Sequence, residues 1–309
     1  MLHILQKRNS LITTFVKYRY LYLMLFPGLL WFFIYRYLPM AGLLIAFKEF
    51  SFSKGILGSD WAGLKYFEFI FFRHPDFYRI LTNTLLINFY RIVISMPVPI
   101  ILALMLNEVT SSAFRRSVQT LIYLPHFVSW VIFGGIIVQF LSPSSGLING
   151  ILKSMGLEPV FFLIREDLFR SIIVVSDIWK SAGWGTIIYL AALSGVDPQL
   201  FDAATIDGAN RWQKIIHITI PSISATIVII FLLKIGQLLQ IGFEQIYVLY
   251  NPAVYSTGDV ISTYVYRVGI GQGRFSLTTA IGLFQSIIGL ILISSANWFS
   301  RRYLDRSLW

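Results

Sequence analysis

Six apolar runs, each about as long as a helix needs to cross a bilayer, leave this chain few ways to fold. They cover 21–47, 80–106, 118–141, 171–193, 220–241 and 277–300. A spanning helix takes roughly 20 largely apolar residues. Backbone polar groups inside hydrocarbon must be satisfied within the segment. The expected fold is therefore an all-α membrane protein with six transmembrane helices. Composition agrees, at 56% hydrophobic and 13% charged, with a mean hydropathy of +0.70; a soluble domain carries about 25% charge. The third and sixth runs contain no Asp, Glu, Lys or Arg. The first holds Arg36, Pro39 and Gly42 and is expected to leave the bilayer before Phe47. The second holds Arg91 and the Pro97/Pro99 pair, which predicts a kink.

Several classes of chemistry are excluded. There is no cysteine, so no disulfide framework, catalytic thiolate or cysteine-held metal. The four His, at 3, 74, 126 and 217, have no metal-ligand spacing, and no metal site is expected. No GxxxxGK[ST] loop is present to cradle a phosphate. The acidic pairs Glu166/Asp167 and Asp202/Asp207 lack the partners of a catalytic set. Net charge is +10, but on such a chain basic residues first report orientation and lipid headgroups. Nucleic-acid binding is not expected, because no stripe interleaves Lys or Arg with aromatics.

Residues 1–20 carry Lys7, Arg8, Lys17 and Arg19 ahead of the first run. That is the basic start of a signal peptide without its small-x-small cleavage site, so a retained first helix is expected. Six crossings put both termini on one side. Lys and Arg are denser in 1–20, 107–117, 194–219 and 301–309 than in 48–79, 142–170 and 242–276, and Arg115-Arg116 and Arg301-Arg302 abut helix ends. The expected domains are a cytoplasmic segment over 1–20, a transmembrane domain over 21–300 and a cytoplasmic tail over 301–309. Segment 48–79, rich in aromatics, reads as interfacial. A short surface helix is expected within 146–155, and a lateral or re-entrant one within 260–268.

Between the fourth and fifth runs lies a small polar island, 197–219. Asp197-Pro198 is a helix start. Phe201, Ala204, Thr205, Gly208, Trp212, Ile215 and Ile216 then recur at helical spacing, with Gly208 as a weak point. Asp197 and Asp202 near the start, and Lys214 and His217 near the end, suit the helix dipole. A helix lying on the inner leaflet predicts several Lys or Arg on its polar face. Only Arg211 and Lys214 are available, against three Asp. An acidic, Ala- and Gly-rich element suits a groove on a soluble protein better.

The island reads Asp202-Ala203-Ala204, then Gly208, then Ile218, then Ile220-Pro221. This resembles, spacing for spacing, the coupling signature Glu-Ala-Ala, three residues, Gly, nine residues, Ile, one residue, Leu-Pro of permease subunits in binding-protein-dependent ABC importers. It departs in Asp202 for Glu and Ile220 for Leu. Ser176 to Lys180, Tyr189 to Leu193, Tyr123 to Phe127, and Phe52 through Leu64 with Gly55 and Trp61, resemble the maltose-type carbohydrate-uptake branch, closest to permeases for oligosaccharides or polysaccharide fragments. The resemblance covers about residues 20–305. It implies a type I importer permease fold with a cytoplasmic coupling helix. Asp202, Ala203, Ala204, Asp207, Gly208, Ala209, Ile218 and Pro221 would be its ATPase-coupling residues. It also implies a second homologous permease, two cytoplasmic ATPase subunits holding ATP and Mg, and an extracytoplasmic solute-binding protein. This chain would bind no cofactor and catalyse nothing.

Charges inside the runs are costly unless paired or hydrated. Asp177 and Lys180, at i and i+3, are expected to pair. Lys234, Gln237, Gln240 and Glu244 recur at helical spacing and face either a subunit interface or a watery pathway. Trp130, Trp179, Trp184, Tyr189, Phe231 and Phe243 are candidates to stack on a sugar, although most aromatics of a membrane protein pack or face lipid. Two other classes remain. One is an ion-coupled secondary transporter, whose paired broken helices in two repeats are not seen. The other is a membrane enzyme acting on lipid-linked sugar.

Overall fold

The computed structural model of the chain describes residues 17–240 and 242–303. His3, Lys7, Arg8, Ile241 and the tail beyond Tyr303 lie outside the described residues. Helix α1 (Arg19–Phe32) continues through a wide turn, Phe33–Tyr37, and a tight one, Leu38–Phe47. Its apolar side chains are almost entirely exposed until Ala46, as suits a helix that is apolar all round and meant for lipid or another protein. A small antiparallel hairpin follows, β1 (Lys48–Glu49) with β2 (Asp60–Trp61). The expected interfacial aromatics Phe52, Trp61 and Phe72 project from this region.

Helices α2 (Phe77–Tyr90) and α3 (Pro97–Asn107) form one unbroken helix through the wide turn Arg91–Ser95. The extra residue in that turn keeps the proline rings off the carbonyls behind them, so the prolines widen the helix without breaking it. The third expected span is different. Helices α4 (Ser112–Phe127) and α5 (Trp130–Leu141) meet at 104°, which corrects the straight run 118–141. Pro125 removes an amide from the last turn of α4, and Ser129 starts α5 by accepting from the Ile132 N–H at 3.4 Å. The short helix α6 (Leu147–Ser154) lies where expected, and α7 (Glu166–Leu193) runs unbroken for 28 residues.

The island is two helices, α8 (Pro198–Ile206) and α9 (Arg211–Lys214). A wide turn, Ile215–Thr219, leads to Ile220–Ser222 and then, after a 60° bend, to α10 (Ser224–Gly236). The fifth expected span, 220–241, is thus bent near Ile223 and stops being helical at Gly236. Its frayed end is satisfied from neighbours: Asn88 donates to the Leu238 carbonyl at 2.6 Å and Gln285 to that of Leu239. Helices α11 (Phe243–Leu249), α12 (Ile261–Val265) and α13 (Phe275–Tyr303) complete the fold.

Among the described residues, three helices are long and apolar enough to cross a membrane, or five if each bent pair makes one span. Helix α7 is about 42 Å long at 1.5 Å per residue, and carries Asp177 and Lys180 at its centre. It is the hub. One core cluster joins α5, α7 and α11 around Phe133, Phe169, Ile173 and Ile246. A second joins α3, α7 and the entry to α10 around Ala103, Tyr189 and Ile223. A third ties Ala46 to α2, α12 and α13. Helices α4 and α7 touch backbone to backbone at Gly183, where a Cβ would lie 2.0 Å from the Ile122 carbonyl oxygen.

Candidate functional site

The island's shape follows from its caps. Asp197 accepts from the Gln199 N–H at 2.9 Å and Pro198 occupies the first turn of α8. The helix ends at Asp207 because Gly208 takes φ +78°, a left-handed turn. Asn210 and Gln213 then form a reciprocal capping box, at 2.8 and 3.0 Å, that starts α9. The continuous amphipathic helix expected from Phe201 to Ile216 is therefore corrected to two short helices. Lys214 braces them by donating to Thr205 Oγ1 at 2.7 Å. A Cβ on Gly208 would meet nothing of this chain, so its backbone angle, and not crowding, requires glycine. Asp202, Ala203 and Asp207 are exposed, Ala204 and Ala209 half-buried. Ile218 and Pro221 sit in the wide turn and at the foot of α10. Ile206 is 87% exposed and Trp212 73%. Two large apolar side chains held out on a rigid, capped element are what a protein partner buries.

The charges at the middle of α7 are arranged otherwise than expected. Asp177 pairs with Arg91 of the α2–α3 turn at 2.8 Å, not with Lys180. Arg91 also donates to Gln245 Oε1, and the Gln245 amide donates to the Ile173 carbonyl at 2.7 Å and to Ser176 Oγ at 2.9 Å. Lys180 turns to the other side. Its ammonium donates to the carbonyls of Pro125 (3.1 Å), His126 (3.0 Å) and Val128, and lies over the rings of Trp130 and Phe133. Carbonyls freed by the α4–α5 break hold a cation more fully than a single carboxylate one turn away, and this decides the pairing.

The aromatic candidates do not converge on one site, although Trp130 and Trp179 both meet Phe133. Trp130 is under Lys180. Trp179 packs on Phe133 at 4.8 Å and stacks with Phe140. Trp184 stacks flat on His126 at 4.5 Å. Tyr189 is only 2% exposed. Phe243 joins Tyr247 and Tyr266 in a separate aromatic cluster. Nor do Lys234, Gln237, Gln240 and Glu244 share one helix face: Lys234 is in α10, the two glutamines follow its end, and Glu244 opens α11.

Sequence reading passed over a second polar network, in the 250–267 segment. Asp259 is buried and receives Arg267 at 2.5 Å and Thr263 at 2.8 Å. Asn83 of α2 donates to the carbonyls of Ser256 and Asp259, and Arg170 of α7 donates to Asn83 Oδ1 at 2.8 Å. Arg267 lies 4.5 Å from the Tyr255 ring. Burial pushes the nearby Tyr250 hydroxyl up to about 12. The network seats this loop against α2 and α7. The Asp259/Arg267 spacing of eight residues was the one signal available.

Residues 95–305 match the family described as binding-protein-dependent transport system inner membrane component. Protein LplB of Bacillus subtilis (strain 168) is 46% identical over 290 residues, covering 94% of this chain and 91% of the relative. The polygalacturonan/rhamnogalacturonan transport system permease protein YteP of the same organism is 44% identical over 304 residues, covering 98% and 94%. A chain in the crystal structure of a bacterial alginate ABC transporter, in complex with an alginate pentasaccharide-bound periplasmic protein, is 42% identical. It aligns with a TM-score of 0.88 over 96% of this chain and 99% of that one. The chain therefore belongs to the binding-protein-dependent transport system inner membrane components, the permeases of ABC importers.

Proposed function

We propose that the chain forms half of the translocation pathway for an oligosaccharide or polysaccharide fragment, in an importer driven by separate ATPase subunits. The observation that carries this reading is the island of 197–221, capped at both helix starts and presenting Ile206 and Trp212, in a chain alike over 96% of its length to one from an alginate importer. The chain crosses the membrane six times, with both termini and the island in the cytoplasm. The third and fifth crossings are the bent ones. A second, homologous permease supplies the other half of the pathway and a solute-binding protein delivers the sugar from outside. Two ATPases hold ATP and Mg and grip Asp202, Ala203, Ala204 and the Gly208 turn.

Closure of the ATPases then moves α8 and α9 as one piece, because Lys214 ties them together. The motion reaches α10 through Ile218 and Pro221, and the 60° bend near Ile223 lets α10 swing. Reconstitution of the complete transporter in proteoliposomes tests this. Uptake of a labelled oligogalacturonide depends on ATP and is abolished by Gly208→Leu, although the variant inserts into membranes normally. Full uptake by Gly208→Leu, or uptake driven by an ion gradient without ATP, overturns the reading.

A further inference from the structure

Between α3, α7 and α10 lies a cavity of about 220 Å³ whose walls are mostly apolar, with Pro99, Ile188 and Ile230 among them. Two charged side chains line it, Asp177 from α7 and Lys234 from α10. Arg91 holds Asp177 by one point only. Its guanidinium donates to Oδ1 through a single nitrogen at 2.8 Å, and that nitrogen also donates to Gln245 Oε1. This is not the two-point fork that makes an arginine–carboxylate pair strong, and Arg91 Nε is left buried without a partner. Asp177 Oδ2 accepts no hydrogen bond among the described residues, and Lys234 Nζ has no hydrogen-bond or ion-pair partner among them. Neither atom is sealed off as Arg91 Nε is. A lysine inside a span is costly unless paired or hydrated, and the charges whose fields act on this one are those of Asp177 and Arg91.

Two cations thus share one carboxylate, and they ride on different elements. Arg91 belongs to the wide turn between α2 and α3, and Lys234 to the helix that continues from the island through the 60° bend. Arg91 keeps an acceptor in Gln245 if Asp177 leaves it, whereas Lys234 has no other. We propose that Lys234 is a positioning residue of the transport cycle. When α10 swings toward α7, its ammonium takes Asp177 from Arg91, and it gives the carboxylate back on return. The inference rests on the permease reading and adds a two-state element to it. The Arg91–Asp177 pair marks the state seen here; the Lys234–Asp177 pair marks the other, with the cavity closed.

Spin-label distances test it in the complete transporter in lipid nanodiscs, with the other chains made free of cysteine. The labels sit at Val175→Cys on α7 and Leu233→Cys on α10, both exposed and outside the cavity. The expected result is two distance populations whose ratio differs between the nucleotide-free state and ATP with vanadate, the shorter being the Lys234–Asp177 state. Lys234→Met depletes the shorter one about ten-fold, the worth of one charge-assisted hydrogen bond. Arg91→Gln, which keeps a donor but loses the charge, enriches it. In an Asp177→Asn background neither change moves the ratio. Shifts in opposite directions are what merely loosened packing does not produce. A single population under both conditions overturns the proposal, as does an unchanged ratio in Lys234→Met or a shift in the same direction by both variants; Lys234→Met alone decides if Arg91→Gln does not assemble. Uptake is measured on the same complex in proteoliposomes. ATP-driven uptake without exchanging populations refutes the partner swap and leaves the permease reading standing, whereas uptake by the wild type that needs no ATP refutes the permease reading itself.

Discussion

Replacing Lys180 by methionine tests how a broken helix is tolerated inside this fold. The stem of the side chain is kept and only the ammonium is lost. That ammonium donates to three carbonyls at the 104° junction of α4 and α5, those of Pro125, His126 and Val128. A hydrogen bond from a charged donor contributes about 1.5–3 kcal/mol, so simple addition over three overshoots. Methionine also recovers the cost of burying the ammonium, several kcal/mol before pairing. A net loss of about 3 kcal/mol is the reasonable expectation, which for a chain of this size lowers the unfolding midpoint by roughly 5–10 °C. Lys180→Arg, which keeps the charge with a different shape, loses less. The assay is thermal unfolding of the purified complex, paired with spin-label distances between Thr120→Cys and Gln139→Cys, one label on each side of the bend. The chain has no native cysteine to interfere. A methionine variant with the wild-type midpoint and an unchanged distance distribution refutes the claim that Lys180 holds the bend.

Other consequences follow from the same geometry. Gly183→Ala places a methyl 2.0 Å from the Ile122 carbonyl oxygen, and the forced separation of α4 and α7 costs about 1–3 kcal/mol; a midpoint equal to wild type speaks against the backbone contact. Arg91→Met leaves Asp177 unpaired and costs about 3–5 kcal/mol, and the double variant with Asp177→Leu recovers part of the loss; a double variant no more stable than the single one contradicts the pair. His74 has a pH signature. Burial holds its pKa below the ordinary 6.5, its Nδ1 accepts from the Asp76 N–H at 3.2 Å, and its Nε2 meets the Tyr264 hydroxyl. The folded state thus favours neutral imidazole. Its contribution is full above pH 6.5 and is lost as pH falls through the lowered native value. His74→Gln flattens the stability profile between pH 7.5 and pH 5, and an unflattened profile removes His74 from the account.

Length and hydropathy made the helical membrane architecture legible, since nothing but helices satisfies six apolar runs without charged strands. The breaks were not legible. Pro27 sits inside α1 and leaves it helical, whereas Pro125 precedes a 104° bend. What differs is Lys180, more than fifty residues away, arriving to satisfy the carbonyls of the second site. For the same reason local spacing misassigned Asp177 to Lys180: Arg91 is 86 residues distant and has no local signature. Gln245, buried completely where α11 packs on α7, was missed because an isolated glutamine beside an apolar run reads as a loop residue. The island was the most readable part. Asp197-Pro198 marked the start of its first helix correctly, whereas Gly208, read as a weak point within one longer helix, is where that helix ends. The restart at Asn210 carried its own capping-box signal in Gln213, which the longer apolar periodicity obscured.

The central claim is that the 197–221 island is where a cytosolic ATPase grips this chain. The most direct test places a single cysteine at Ala203, which is exposed where Ala204 is half-buried, and purifies the complex with an ATPase carrying cysteines along its docking groove. The account predicts one specific disulfide cross-link whose yield changes on adding ATP. Full transport activity with no cross-link at any groove position, or labelling of Ala203→Cys by an impermeant thiol reagent applied from outside the cell, contradicts it.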